Sequence, residues 1–176
     1  TSVPRINVAL GLPAKSSEME LIHWWRKYMG SAPYIPPREV NGGPLLENVM
    51  EGAAVDLQKI PTPVWHEHDG GPFIGTACLV IMKDPDSGWI NYGAYRVQVH
   101  GPRTASVMIS PGKHGRLIRE KYFARNQPCP VIISCGQDPI LFLCANAEMG
   151  EGGAGCARRT RVNECCRMHD TKQHRY

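Results

Sequence analysis

The sequence predicts an α+β fold in which a helical arm leads into antiparallel strands and ends in an irregular tail. Three observations carry this. Eighteen glycines and fifteen prolines in 176 residues exceed what a helical bundle tolerates and favour a turn-rich fold with strands. A helix-start signal stands near the N-terminus at Ser17 and Glu20. From Pro61 onward, short apolar runs alternate with turn residues. Charged residues at 20% and hydrophobic ones at 42% fit a soluble globular chain rather than a disordered or coiled-coil one. No apolar run approaches the roughly eighteen residues of a membrane span, and no export signal is visible, so no membrane partner is expected.

The expected organisation is an arm over residues 1–60, a strand-bearing region over 61–150 and a tail over 151–176. Ser17 caps a helix over residues 18–29, with Glu20 completing a capping box and Gly30 placed to end it. Leu21, Ile22, Trp24, Trp25, Tyr28 and Met29 form its apolar stripe. After a loop through Pro33, Pro36 and Pro37, residues Leu45, Leu46, Val49 and Met50 read as a second short helix or an irregular arm. The run from Pro72 to Lys83 reads as a strand covered on both sides. Asp84-Pro85-Asp86-Ser87-Gly88 turns it into a second strand over residues 89–100, giving a hairpin. A third strand follows from Thr104 to Ser110, then a helix from Lys113 to Arg125. Strands at Pro130–Ser134 and Pro139–Cys144 close the pattern. After Gly150 the apolar periodicity stops.

Charge and cysteine placement narrow the function. Residues 1–150 carry 14 Lys and Arg against 13 Asp and Glu, whereas 151–176 carry 6 against 3. The net charge of +4 therefore sits mostly in the tail, not spread over a fold as a nucleic-acid footprint would be. A tail binder acting through Arg158, Arg159, Arg161 and Arg167 would show salt-steep DNA binding, and solvated surface charge is the competing reading. Seven cysteines, an odd number at irregular spacing, favour a reduced cytoplasmic chain over a disulfide scaffold.

The strand over residues 89–100 is the most informative stretch. Tyr95, Val97 and Val99 alternate with Arg96, Gln98 and His100, so one face is apolar and the other carries a guanidinium, an amide and an imidazole. A half-buried strand with a wet face gives the same alternation. Gly93 marks either a bulge or a close backbone approach to a ligand. By strict period two, Asn91 and Arg96 point to opposite faces, and only a bulge near Gly93 would turn both to one pocket. Ser110-Pro111-Gly112-Lys113-His114-Gly115 gathers a cation, an imidazole and free backbone N–H groups at a helix start. That suits a phosphate or metal-phosphate cluster, and equally an exposed polar turn.

Three further motifs are weaker. Gly150 to Gly155 satisfies G-x-G-x-x-G with Asp170 downstream, yet residues 156–166 lack the apolar stripe of a nucleotide-fold helix. Cys165-Cys166, His169 and His174 with Cys156 could hold zinc but lack a second C-x-x-C. Trp65-His66-Glu67-His68-Asp69 puts two imidazoles on one face of an extended segment, but Pro63 and Gly70-Gly71 favour a solvated loop.

Asp69-Gly70-Gly71-Pro72-Phe73-Ile74-Gly75-Thr76, Asn91-Tyr92-Gly93-Ala94-Tyr95-Arg96-Val97-Gln98, Lys113-His114-Gly115, and Pro130-Val131-Ile132-Ile133 with Gly136-Gln137-Asp138-Pro139 together resemble the UbiD-type decarboxylases. Order and spacing match over residues 15–148, and the Asn-x-Gly-x-Tyr-Arg strand is the most specific piece. The resemblance implies a prenylated-FMN-dependent carboxy-lyase that reversibly decarboxylates aromatic or α,β-unsaturated acids with manganese or magnesium, often with potassium. It implies an incomplete antiparallel split β-barrel as the flavin-binding part, a flavin prenyltransferase supplying the cofactor, and homo-oligomers at full length. By position, Asn91 and His114 match the family's metal ligands, with Lys113 beside them. Thr76, Tyr92, Gly93, Ala94 and Tyr95 match the segments along the cofactor, and Arg96 matches the arginine beside the reacting carboxylate. The family's third metal ligand, a glutamate in a segment like Glu-Leu-Val-Lys, and its acid/base carboxylates have no match here. Glu164 sits in the wrong context. The chain is therefore expected to be a piece of a longer enzyme, inactive alone, with a non-catalytic flavin- or phosphate-binding module as the alternative.

Overall fold

Glu20 closes the capping box that the sequence predicts: its carboxylate accepts the Ser17 backbone N–H at 2.7 Å, and Ser17 Oγ accepts the Glu20 N–H at 3.3 Å. The helix so opened, α2, spans Glu18–Ser31, so Gly30 lies inside it rather than ending it. A computed structural model describes residues 2–31 and 40–146. The tail motifs, including the glycine run from 150, the cysteine and histidine set and the four arginines, lie outside the described residues. Ahead of α2 stands α1, Val3–Ala9, which the sequence reading did not anticipate. Its start carries a readable signal, proline in the first turn after Ser2. Buried Asn7 ties α1 to the following loop by donating to the Ser16 carbonyl at 2.7 Å. The stretch read as a second helix or an irregular arm is the latter: three 3-10 turns at Pro44–Leu46, Gly52–Ala54 and Leu57–Lys59.

The hairpin forms, but each arm is broken in the middle. The first arm divides into β1 (Phe73–Gly75) and β2 (Leu79–Lys83), and the second into β3 (Ile90–Gly93) and β4 (Arg96–Gly101). With β5 (Thr104–Met108) and β6 (Ile132–Ser134), these make two antiparallel three-stranded sheets, ordered β1-β4-β5 and β3-β2-β6. Both arms cross between sheets at one level, through residues 76–78 and 94–95. The turn itself is as expected. Asp84 accepts the N–H groups of Asp86 and Ser87 at 2.8 and 3.0 Å, and Gly88 takes φ +71°.

Strand β2 is buried on both faces from Leu79 to Met82, as its unbroken apolar run predicts. Cys78, Val80 and Met82 join Val97, Ile109 and Ile118 in one cluster. Leu79 and Ile81 join Leu141 and Cys144 in another, which Trp25 of α2 also reaches. Helix α3, His114–Ala124, covers the first cluster. The second is covered by α4, Pro139–Ala145, and this corrects the expected strand over 139–144. A six-residue apolar run fits strand or buried helix equally. Here Asp138 decides, because its side chain accepts the Ile140 N–H at 2.7 Å with proline following it in the first turn.

Gly93 is required by a neighbour within the chain. A Cβ there would sit 2.3 Å from the Tyr95 ring, and one at Gly115 would sit 2.9 Å from it. The ring fills that space, and its hydroxyl accepts the Gly115 N–H at 3.2 Å, at the start of α3. Lys113, the N-cap, makes no side-chain cap, so Tyr95 supplies the missing acceptor from another strand. Gly93→Ala is therefore expected to displace Tyr95 and cost about 1–3 kcal/mol. Denaturant unfolding would show it as a lowered midpoint with an unchanged slope.

Candidate active site

The level at which both arms change sheets brings Thr76 and Arg96 together. They line a cavity of about 250 Å³ whose other walls are Trp65, His66, Asp69 and Phe73. Arg96 opens β4, where the burial alternation turns Val97 and Val99 inward and leaves Arg96 exposed. Among the described residues its one side-chain hydrogen bond is a long one to the Met108 sulfur on the paired strand, 3.9 Å from Nη2. Among the described residues it has no carboxylate partner. A guanidinium in that state is a ready bidentate anchor for a carboxylate.

The metal candidates stand elsewhere. Asn91, 5% exposed, lies opposite Met82 and so faces the cluster under α3. His114, the first residue of α3, packs its ring edge-on against Trp89, with centroids 5.1 Å apart. Trp89 and Asn91 are two residues apart and share a strand face, so Asn91 and His114 lie on the same side of their sheet. Neither lines the Arg96 cavity. The chain breaks at Ala94-Tyr95, but the break preserves the odd–even alternation, with Val97 in the cluster that Asn91 faces. The turn of Asn91 and Arg96 to one pocket by a bulge at Gly93 therefore does not occur. Five residues of chain, at most about 16 Å when extended, separate them.

The remaining predicted residues fall around these two places. Tyr92 faces the second cluster with Ile90. Gly93 and Tyr95 form the packing unit described above, and Ala94 is at the sheet crossing. Lys113 is exposed beside His114. One backbone N–H expected to be free at the start of α3, that of Gly115, is taken by Tyr95.

Trp65, His66, Asp69 and Phe73 were not singled out as site residues from sequence, the first three having been read as part of a solvated loop. They are exposed or half-buried as that reading requires, yet they wall the cavity. The available signal was Asp69 four and three residues after Trp65 and His66, a spacing at which its carboxylate can accept both backbone N–H groups. It does so at 3.1 and 2.9 Å.

Among the described residues, the cysteines Cys78, Cys129, Cys135 and Cys144 are free thiols. Burial, with the Cys135 thiol nearby, pushes Cys78 up to about 11, so it is a packing residue rather than a nucleophile. No helix among the described residues is long and apolar enough to cross a membrane.

Residues 38–156 match the family described as "UbiD: 3-octaprenyl-4-hydroxybenzoate carboxy-lyase Rift-related domain". The pyrrole-2-carboxylic acid decarboxylase of Pseudomonas aeruginosa is 31% identical over 148 residues, which are 84% of this chain and 30% of that protein. Vanillic acid decarboxylase of Sedimentibacter hydroxybenzoicus, in its closed form, superposes with a TM-score of 0.77 at 25% identity, covering 85% of this chain and 32% of that one. An evolved dimeric form of the UbiD-class enzyme HmfF from Pelotomaculum thermopropionicum, in complex with prFMN, gives 0.73 at 26% identity, covering 84% and 33%. The chain thus spans about a third of the length of the proteins it resembles.

Proposed function

The chain belongs to the UbiD family, and on that premise we propose that it carries the cofactor- and carboxylate-binding strand of a prenylated-FMN-dependent carboxy-lyase. The reaction is the reversible, non-oxidative decarboxylation of an aromatic or α,β-unsaturated acid. The observation that carries this is Arg96, a cation with no carboxylate partner among the described residues, in a ring-sized cavity with aromatic walls. Its guanidinium would hold the substrate carboxylate, with Thr76 on the neighbouring segment and Trp65 and Phe73 against the ring. Bound prenylated FMN would supply the electron sink for the breaking carbon–carboxylate bond. The bound prFMN of the HmfF neighbour supports the choice of cofactor, and its dimeric form supports a homo-oligomer. Residues 61–150 would form the flavin-binding part, of split-barrel type, with residues 1–60 as its arm. A flavin prenyltransferase would supply the cofactor, and the setting would be cytoplasmic.

Asn91 and His114 suit a metal at the cofactor phosphate. Among the described residues Asn91 Nδ2 is buried without a hydrogen-bond acceptor, a state that costs about 1–3 kcal/mol unless an acceptor such as a phosphate oxygen arrives. An amide oxygen, an imidazole and phosphate oxygens are donors for manganese or magnesium. Among the described residues no three His, Cys, Asp or Glu side chains gather to hold a metal, so further donors must complete the set. Asn91→Ala and His114→Ala are each expected to weaken manganese binding about tenfold or more, measured by metal titration in the presence of flavin. Unchanged affinity in both would remove them from the metal site.

A second reading is a flavin-binding module without turnover. Carbon dioxide release from a carboxyl-labelled aromatic acid, with prenylated FMN and manganese added, separates the two. Release supports the lyase. Flavin binding without release supports the module.

A further inference from the structure

We propose that Cys78 and Cys135 form a redox-sensitive modification site, a thiol pair that closes reversibly to a disulfide where the first hairpin arm crosses between sheets. The proposal does not depend on the carboxy-lyase reading. Strands β2 and β6 pair antiparallel, with Leu79 opposite Ser134, Val80 opposite Ile133 and Ile81 opposite Ile132. One step beyond the end of that ladder, the same register sets Cys78 opposite Cys135. Two hydrogen bonds hold the segments together past the ladder. Gln137 Nε2 donates to the Ala77 carbonyl at 2.6 Å, and the Cys135 thiol donates to the Ile74 carbonyl at 3.5 Å. Directly opposed residues of an antiparallel pair share a face and have Cα atoms about 4.5 or 5.5 Å apart. Both spacings fall within the roughly 4.4–6.8 Å that a disulfide spans. The two sulfurs also lie against consecutive residues of β1. Cys135 meets Ile74, and a Cβ on Gly75 would sit 2.2 Å from the Cys78 sulfur, so this glycine leaves the room that the sulfur fills.

The thiols differ in access. Cys135 is exposed, whereas Cys78 is only 2% exposed. Burial pushes both up, Cys78 to about 11 with the Cys135 thiol adding to the effect. Cys78 is therefore closed to an outside reagent, and Cys135 is the point of entry. The oxidant is a small disulfide such as oxidised glutathione. Cys135 gives up its proton and attacks one sulfur of that disulfide, whose S–S bond breaks and releases one glutathione thiol. Cys78 then gives up its proton and attacks the Cys135 sulfur, forming the protein disulfide and releasing the second glutathione thiol. Two cysteine sulfurs are oxidised, one glutathione disulfide is reduced, and the two protons leave on the glutathione thiols. The second step needs no access from solvent, because its target is held opposite Cys78. In a reducing setting the pair stays open, and it closes when the thiol–disulfide balance shifts. Closure removes the Cys78 S–H that donates to the Tyr95 carbonyl at 3.2 Å, so the change falls on the segments that carry Thr76 and Arg96.

The test treats the full chain with oxidised glutathione at about pH 8.5, where more of each thiol is ionised. Free thiols are then blocked with N-ethylmaleimide, and the chain is digested with trypsin without reductant and read by tandem mass spectrometry. More than about half of the chains are expected to carry the peptide of residues 60–83 joined to that of residues 126–158. Fragmentation should place the bond at Cys135 rather than at Cys129, Cys144 or Cys156. Circular dichroism should match that of the reduced chain, and dithiothreitol should return both thiols. Cys135→Ser, a change at an exposed position, should abolish the bond to Cys78 and leave Cys78 a free thiol, while Cys129→Ser should leave the bond unchanged. A treated wild type in which Cys78 stays free, is joined to another cysteine, or is joined to Cys135 only with loss of the fold overturns the proposal. So does a bond to Cys78 that persists in Cys135→Ser.

Discussion

Arg96→Ala is expected to lower the affinity for an aromatic carboxylic acid by at least about a hundredfold and to leave flavin retention unchanged. The size of the effect follows from the site's charge balance. Among the described residues Arg96 has no ion-pair partner, and its one polar contact is a long one to the Met108 sulfur. Nothing else lining the cavity carries a permanent positive charge. Removing it leaves Asp69 as the dominant field, which opposes a carboxylate outright. Arg96→Lys should recover only part of the loss, since an ammonium supplies charge without the two-pronged geometry. Titration calorimetry with the acid, run beside flavin absorbance, checks both halves. Equal acid affinity in wild type and Arg96→Ala would remove the carboxylate role.

Asp84→Ala is expected to cost about 3–5 kcal/mol of stability, the range for removing one partner of a buried ion pair. Asp84 is 2% exposed and sits where three elements meet. Its Oδ2 receives Lys121 of α3 at 2.5 Å, and its Oδ1 holds the hairpin turn through the Asp86 and Ser87 N–H groups. Arg125 adds an ion pair from α3 to Asp86 in the same turn. Burial pushes the Asp84 carboxyl up, but Lys121 and the two backbone donors outweigh it and hold the group at about 2, against an ordinary 3.8. A lowered native pKa means that the unfolded chain binds the proton more readily. The stabilisation is therefore complete above about pH 4 to 5 and is lost as pH falls toward 2, about 2.5 kcal/mol in all. Urea unfolding at pH 6 and pH 3 should show the first part of that loss, about 1 kcal/mol, in wild type, and Asp84→Asn should flatten this part of the pH dependence.

Where local chemistry alone decides, the elements were legible in the sequence. The Ser17 and Glu20 capping box placed α2, and Asp84 to Gly88 placed the hairpin turn, because both signals act within a few residues. The crossing of each arm from one sheet to the other was not legible. Gly75 and Gly93 end the strands before both breaks, but a strand glycine signals a bulge or a close approach as readily as a change of sheet. Helix α4 was misread because a short apolar run carries no period, although Asp138-Pro139 held the answer. Thr76 and Arg96 were reached through their family resemblance and do share a cavity. Asn91 and His114 share a sheet face away from it, and Trp65, His66 and Asp69 were passed over because a polar turn looks the same whether it faces water or a ligand.

The most direct test of the proposed cofactor site is gel filtration of the chain after incubation with prenylated FMN and manganese. Flavin absorbance should travel with the protein near one equivalent and be stripped by a metal chelator, with Asn91→Ala His114→Ala eluting nearly colourless. A folded wild-type chain that elutes without flavin under these conditions, or a double variant that retains it as well as wild type does, would contradict the proposal.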